Sequence, residues 1–274
     1  MAHDHVEVGL AASTEMQYLH AGEGRPVVLI HGWPTGGAVW DRQLLSLAPV
    51  AHVIAPDLPG YGGSPARGVT SVAGLAQALH RFLQELDLDN AVIVGWSLGG
   101  GIVMSYLDQF GAERVVGAAI VDDCPCLLPR LNWELGRDTT FDPAGLQDWV
   151  DRWTTSRGSV IHELNVSEFC QPAAFEDDIR RLDALSMRAD PQAALAGLLD
   201  AFSCDFRDSL AQITVPVLLL YGGRSKLTTQ AAREFMLAEI PTARLHVFEN
   251  SGHNPFIEEQ EEFDEVLATF MNTT

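Results

Sequence analysis

Basic residues are scarce in this chain. Its 274 residues hold 17 Lys and Arg against 37 Asp and Glu, a formal net charge of −20 at pH 7. A phosphate backbone is held by clustered Lys and Arg that displace its counterions. Neither nucleic acid nor an anionic membrane is therefore an expected partner. Cysteine is equally sparse: Cys124, Cys126, Cys170 and Cys204 are too few and too irregular for a disulfide scaffold. Cys124-Pro125-Cys126 has neither the spacing nor the second Cys or His pair of a zinc site, so free thiols in a reducing cytoplasm and no metal are expected. No apolar stretch is long enough to span a membrane, and Met1 to Gly9 carry His and Asp where a secretion signal needs basic residues. His3-Asp4-His5 reads as solvated rather than as ion ligands. Internal repeats and Ser/Gly or Pro-rich linkers are absent too, which points to one elaborated domain.

What is present is a composition that builds a core, 47% hydrophobic and 20% charged. Short apolar runs recur at Val27–Ile30, Val53–Ala55, Ala91–Val94, Val115–Val121, Val217–Tyr221 and Leu245–Phe248. Their unbroken apolar character suits strands covered on both faces of a mostly parallel sheet. Helical spacing lies between them, as in Leu75, Leu79, Phe82 and Leu86, and again in Phe263, Val266, Leu267 and Phe270. The alternation predicts a doubly wound α/β sheet with its chemistry at the carboxyl ends of the strands. It lapses between Pro125 and Asp208, where apolar and aromatic residues follow mixed spacings. The expected organisation is a core from residues 1–124 and 209–274 with a helical cap inserted at 125–208. Trp96 beside the core motif, and Trp133, Trp149 and Trp153 in the insertion, are the expected walls of an apolar pocket.

After Ala91–Val94 comes Gly95-Trp96-Ser97-Leu98-Gly99-Gly100-Gly101 and then a helical pattern. G-x-S-x-G between a strand and a helix lifts a serine to the sheet edge, and the glycines avoid clashes where strand and helix cross. The amide of Leu98, at the helix start, is placed to stabilise an oxyanion. A dinucleotide loop would need glycine where Ser97 stands. His253 stands out among the histidines because it lies in the turn-rich Asn250-Ser251-Gly252-His253-Asn254-Pro255, after the last apolar run, where a general base can reach back to the serine.

Together with His31-Gly32-Trp33-Pro34 and Asp57-Leu58-Pro59-Gly60-Tyr61-Gly62-Gly63-Ser64, these motifs make the chain resemble an α/β-hydrolase, nearest the esterase, lactonase and cofactor-free haloperoxidase branch. The resemblance covers the sheet-forming segments and leaves out the insertion. It implies Ser97 as nucleophile, His253 as base, the Trp33 amide as second oxyanion donor, and a loop-shaping rather than catalytic His31. It implies no cofactor.

One expected residue is missing. The family usually places its acid after the penultimate strand, three residues past a glycine, and here Ser225 stands three residues past Gly222. One strand earlier, Val115–Val121 ends in Asp122-Asp123, and some members of the superfamily carry the acid there. Asp122 is the expected partner of His253; Asp123 is the alternative and Glu249 the next candidate. The expected activity is hydrolysis of carboxylic esters or lactones through an acyl-enzyme, with apolar acyl homoserine lactones among the candidate substrates. Perhydrolase, haloperoxidase or dioxygenase chemistry on the same fold, and a non-catalytic ligand receptor, stand as alternatives. The run Glu258, Glu259, Glu261, Glu262, Asp264 and Glu265 reads as the solvated start of the last helix.

Overall fold

The computed structural model describes residues 7–130, 133–134 and 143–274. Eight strands form one sheet: β1 (Gly9–Ala12), β2 (Gln17–Ala21), β3 (Pro26–Ile30), β4 (His52–Pro56), β5 (Ala91–Trp96), β6 (Val115–Val121), β7 (Val217–Gly222) and β8 (Ala243–Phe248). They lie in the order β1-β2-β4-β3-β5-β6-β7-β8, antiparallel at β1/β2 and β2/β4 and parallel elsewhere. Helices α1 (Asp41–Leu47), α2 (Val72–Glu85) and α3 (Leu98–Phe110) connect the first parallel strands.

Side-chain alternation divides the core in two. Val28, Ile30, Ile93, Val217, Leu219 and Tyr221 pack toward α2 and α3, whereas Val27, Leu29, Val92, Val94, Leu218 and Leu220 pack toward α1 and the C-terminal helix. Both faces are apolar because helices cover both. The Ser71 hydroxyl caps α2 by accepting from the amide of Gly74 at 3.1 Å, and Leu75, Leu79 and Phe82 point into the core at the spacing the sequence showed. The edge hairpin β1–β2 was not read from the sequence: β1 is only the four residues Gly9–Ala12, and β2, Gln17–Ala21, mixes polar with apolar residues at half-exposed positions.

Between β6 and β7 the chain forms α4 (Pro143–Glu168), α5 (Glu176–Ser186) and α6 (Pro191–Ser203). The helical geometry of α4 breaks at Ser156. Polar contacts bind this insertion to the core: Asp190 N–H donates to Gly60 O at 2.8 Å, the Asp200 carboxylate accepts from Val72 N–H at 2.7 Å, and Arg181 pairs with Asp41. After β7 come α7 (Gln230–Glu239), then, beyond β8, the single turn α8 (Pro255–Glu258) and α9 (Gln260–Thr273). Phe263, Leu267 and Phe270 anchor α9. His3-Asp4-His5 lies outside the described residues.

Candidate active site

Four adjacent parallel strands, β5 to β8, present their carboxyl ends side by side. At the end of β5, Ser97 holds φ 53° and ψ −121°, a conformation that L side chains rarely adopt. Ser97 N–H donates to Val121 O at 2.9 Å, and its carbonyl accepts from Gly100 N–H at 2.6 Å as α3 begins. The turn is possible only because the chain crossing is bare. A Cβ on Gly95 would strike the Gly99 carbonyl, and one on Gly99 would stand 2.5 Å from Ile30 O. Backbone conformation and glycine spacing thus place the serine hydroxyl at the sheet edge.

At the end of β6, Asp122 is 1% exposed and has φ 48°. Its carboxylate accepts three hydrogen bonds. His253 Nδ1 donates to Oδ2 at 2.6 Å, Ser225 Oγ to the same oxygen at 2.5 Å, and Thr228 Oγ1 to Oδ1 at 2.6 Å. The structure therefore brings Asp122 to His253, and it sets Ser225, at the position where the family usually carries its acid, on the same carboxylate. Asp123 points elsewhere. It lines the cavity described below, and its carbonyl accepts from Tyr221 Oη at 2.8 Å. Glu249 lies on the exposed loop after β8.

His253 is held through its main chain as well. Its N–H donates to Glu168 O at 2.7 Å, and its carbonyl accepts from Trp96 Nε1 at 2.9 Å. The Trp96 indole also packs against the imidazole, with centroids 5.3 Å apart. Because Trp96 precedes Ser97 in the chain, these contacts fix the histidine loop beside the serine turn. With Nδ1 donating to a carboxylate, Nε2 is the nitrogen that would exchange a proton.

His31 is fully buried; its Nδ1 lies 2.9 Å from Gly32 O, and its Nε2 accepts from Leu58 N–H at 3.1 Å. An Nε2 that accepts carries no proton, so the ring is neutral, and burial holds its pKa below the ordinary imidazole value. His31 shapes the loop that carries Trp33.

Ser97, Trp33 and Leu98 share an apolar cavity of about 60 Å³ with Leu127, Trp149 and Phe202. The amide of Leu98 belongs to the first turn of α3, where intrahelical acceptors are lacking. The Trp33 indole donates to Ala194 O at 2.7 Å, which fixes this wall to α6. Glu168 and Asp123 also border the space.

The expected tryptophan pocket needs correction. Trp149 lines the cavity, while Trp153 sits behind it, tilted against Trp33 at 4.8 Å and stacked on Trp149 at 5.6 Å between centroids, and donating to Pro191 O. Trp96 lies under the histidine loop against Phe256, because it shares the strand face of Val92 and Val94. Trp133 packs with Cys124, Cys126 and Ala232 in a separate cluster. Sequence reasoning missed Thr228 and Glu168. The Ser225-Lys226-Leu227-Thr228-Thr229 cluster at the vacated acid position was the one available signal for Thr228.

Comparison with known proteins agrees with this fold. Residues 25–260 match the family model described as the alpha/beta hydrolase fold. The chain belongs to the α/β-hydrolase family. A pimeloyl-[acyl-carrier protein] methyl ester esterase of Vibrio vulnificus is 30% identical over 266 residues, covering 94% of this chain and 98% of the relative. An esterase from Exiguobacterium antarcticum superposes with a TM-score of 0.84 at 26% identity, over 94% of this chain and 96% of its own. A bromoperoxidase from Bacillus anthracis superposes with a TM-score of 0.86 at 24% identity, over 97% of this chain and 100% of its own, a likeness of fold alone. This α/β-hydrolase is of the esterase type, a carboxylic ester hydrolase by its relatives. No helix among the described residues is long and apolar enough to cross a membrane.

Proposed function

We propose that the protein hydrolyses carboxylic esters through an acyl-enzyme on Ser97, with His253 as general base and Asp122 as its acid partner. The observation that carries this reading is the buried Asp122 carboxylate at 2.6 Å from His253 Nδ1, on a loop that Trp96 ties to the serine turn. Ser97 Oγ attacks the ester carbonyl as His253 Nε2 takes its proton, and the amides of Leu98 and Trp33 hold the resulting oxyanion. Collapse breaks the bond to the alkoxy group, which leaves with the proton from Nε2. Water, activated by the same nitrogen, then releases the acid. Asp122 keeps the imidazole in the tautomer that presents a lone pair to the serine and stabilises the imidazolium once it forms. The helical insertion acts as a cap that walls the acyl group from water.

The cavity supports substrates with an apolar group beside the serine, since Trp33, Leu98, Leu127, Trp149 and Phe202 wall the space next to Ser97. A lactone presents the same carbonyl, so cyclic and open esters are tested together. The purified chain should turn over p-nitrophenyl butyrate without added metal or cofactor, and Ser97→Ala should abolish that turnover. Equal rates in the two proteins would overturn the serine mechanism. An N-acyl homoserine lactone in the same assay decides whether ring opening belongs to the activity.

A further inference from the structure

The loop that carries His253 is gripped by the turn that follows it. Glu258, at the end of α8, folds back so that Oε1 accepts from Gly252 N–H at 2.8 Å while Oε2 accepts from Cys170 N–H, also at 2.8 Å. One carboxylate therefore holds an amide of the histidine loop and an amide of the insertion. Cys170 lies two residues beyond Glu168, whose carbonyl receives the N–H of His253 itself. The two segments touch through bare main chain: a Cβ on Gly252 would collide with Glu168 O and stand 2.9 Å from Cys170 N. We propose that Glu258 is a positioning residue whose ionised carboxylate clamps Gly252 to Cys170, so that seating of the insertion and placement of the His253 imidazole become one event. This inference rests on the reading of His253 as the general base.

The chemistry of the clamp is specific. Two N–H donors require two acceptor oxygens, which a carboxylate supplies. A protonated carboxyl or a glutamine supplies one acceptor and turns a donor toward the other amide. Burial pushes Glu258 up to about 7, against the lowering effect of its amide donors and of His253. The other titratable or charged groups on the segments packed around it are His253, Cys170, Glu168, Arg42 and Glu259. Arg42 donates to Ile257 O, while Glu259 accepts from Ser251 Oγ at 2.6 Å and Asn250 N–H at 3.0 Å without reaching the insertion. The two-acceptor form of the clamp therefore predominates above about pH 7 and gives way to the protonated, one-acceptor form as pH falls through that value. Because burial raises the pKa, protonation reshapes the contact to the two amides without unseating the turn.

The test is the pH dependence of kcat and KM for p-nitrophenyl acetate with the full chain, in wild type, Glu258→Gln, Glu259→Gln and Ser97→Ala. In wild type the acid limb should carry two ionisations. Glu258→Gln should show one, with its plateau kcat lowered roughly ten- to a hundred-fold, the effect of a base displaced by a fraction of an ångström, and KM little changed. Glu259→Gln should keep the two-ionisation limb. A single ionisation in wild type overturns the clamp even if the glutamine variant does not fold. So does a Glu258→Gln profile identical to wild type, or the loss of the second ionisation in Glu259→Gln. Turnover retained by Ser97→Ala would instead overturn the mechanism on which the clamp rests.

Discussion

Three donors converge on the Asp122 carboxylate from two loops: His253 from the loop after β8, and Ser225 and Thr228 from the loop after β7. Hydrogen bonds to a carboxylate are the stronger kind, and these three fix both oxygens of Asp122 beside the imidazole. Asp122→Asn should lower kcat by roughly two to four orders of magnitude, because an amide presents a donor to Nδ1 and favours the wrong tautomer. Asp123→Asn, which leaves the Asp122–His253 contact intact, should stay within about tenfold of wild type. Because Ser225 Oγ lies 2.5 Å from Asp122 Oδ2, a carboxylate at 225 reaches the same space. Adding Ser225→Asp to Asp122→Asn should therefore recover at least about tenfold in kcat/KM over the single variant. Steady-state rates on one p-nitrophenyl ester check all three. At this scale the sequence disclosed chemistry better than contacts. Residue type at strand ends pointed to Ser97, His253 and Asp122, which the structure places at neighbouring strand ends, whereas Ser225 registered only as a missing acid. Glu258 was hidden in an acidic run that reads as solvated, because nothing in the sequence says that its turn folds back onto Gly252.

The serine turn is the element on which the site depends. Gly99 stands against the carbonyls of Ile30 and His31, whereas a Cβ on Gly101 would meet nothing nearer than Asp123 Oδ2 at 3.5 Å. Gly99→Ala should then cost more than about 3 kcal/mol of unfolding free energy, by forcing β3 and α3 apart. Gly101→Ala should be neutral or gain up to about 1 kcal/mol from helix propensity. Denaturant melts of the two variants make the comparison. Strands β3 to β7 were legible because burial on both faces leaves apolar runs, and β8 only through its last four residues, Leu245–Phe248. The β1–β2 hairpin was not, since a half-exposed edge leaves no such trace. Trp96 was misplaced for want of parity: it lies two residues beyond Val94, on the strand face turned away from the cavity.

The whole molecule carries −20 charges on one compact body. Self-repulsion of that size opposes folding and is screened by salt, with a Debye length that shrinks from ~30 Å at 0.01 M to ~8 Å at 0.15 M. The melting temperature should accordingly rise with sodium chloride over that range; a flat or falling curve would mean that the surface pairs, such as Arg81–Glu15 and Arg114–Asp89, outweigh the net repulsion. The sheet, by contrast, is indifferent to surface charge. Its fixed registers, Trp96 beside Val121, Val121 beside Leu220 and Tyr221 beside Val247, set the separation of the strand ends before any loop is considered. A fold built this way offers one negative charge two addresses, at neighbouring strand ends, from which it can serve the same histidine. An inventory that visits only the usual address would find Ser225 there and no carboxylate. A carboxylate stands next door, at the end of β6, and the serine donates its hydroxyl to it.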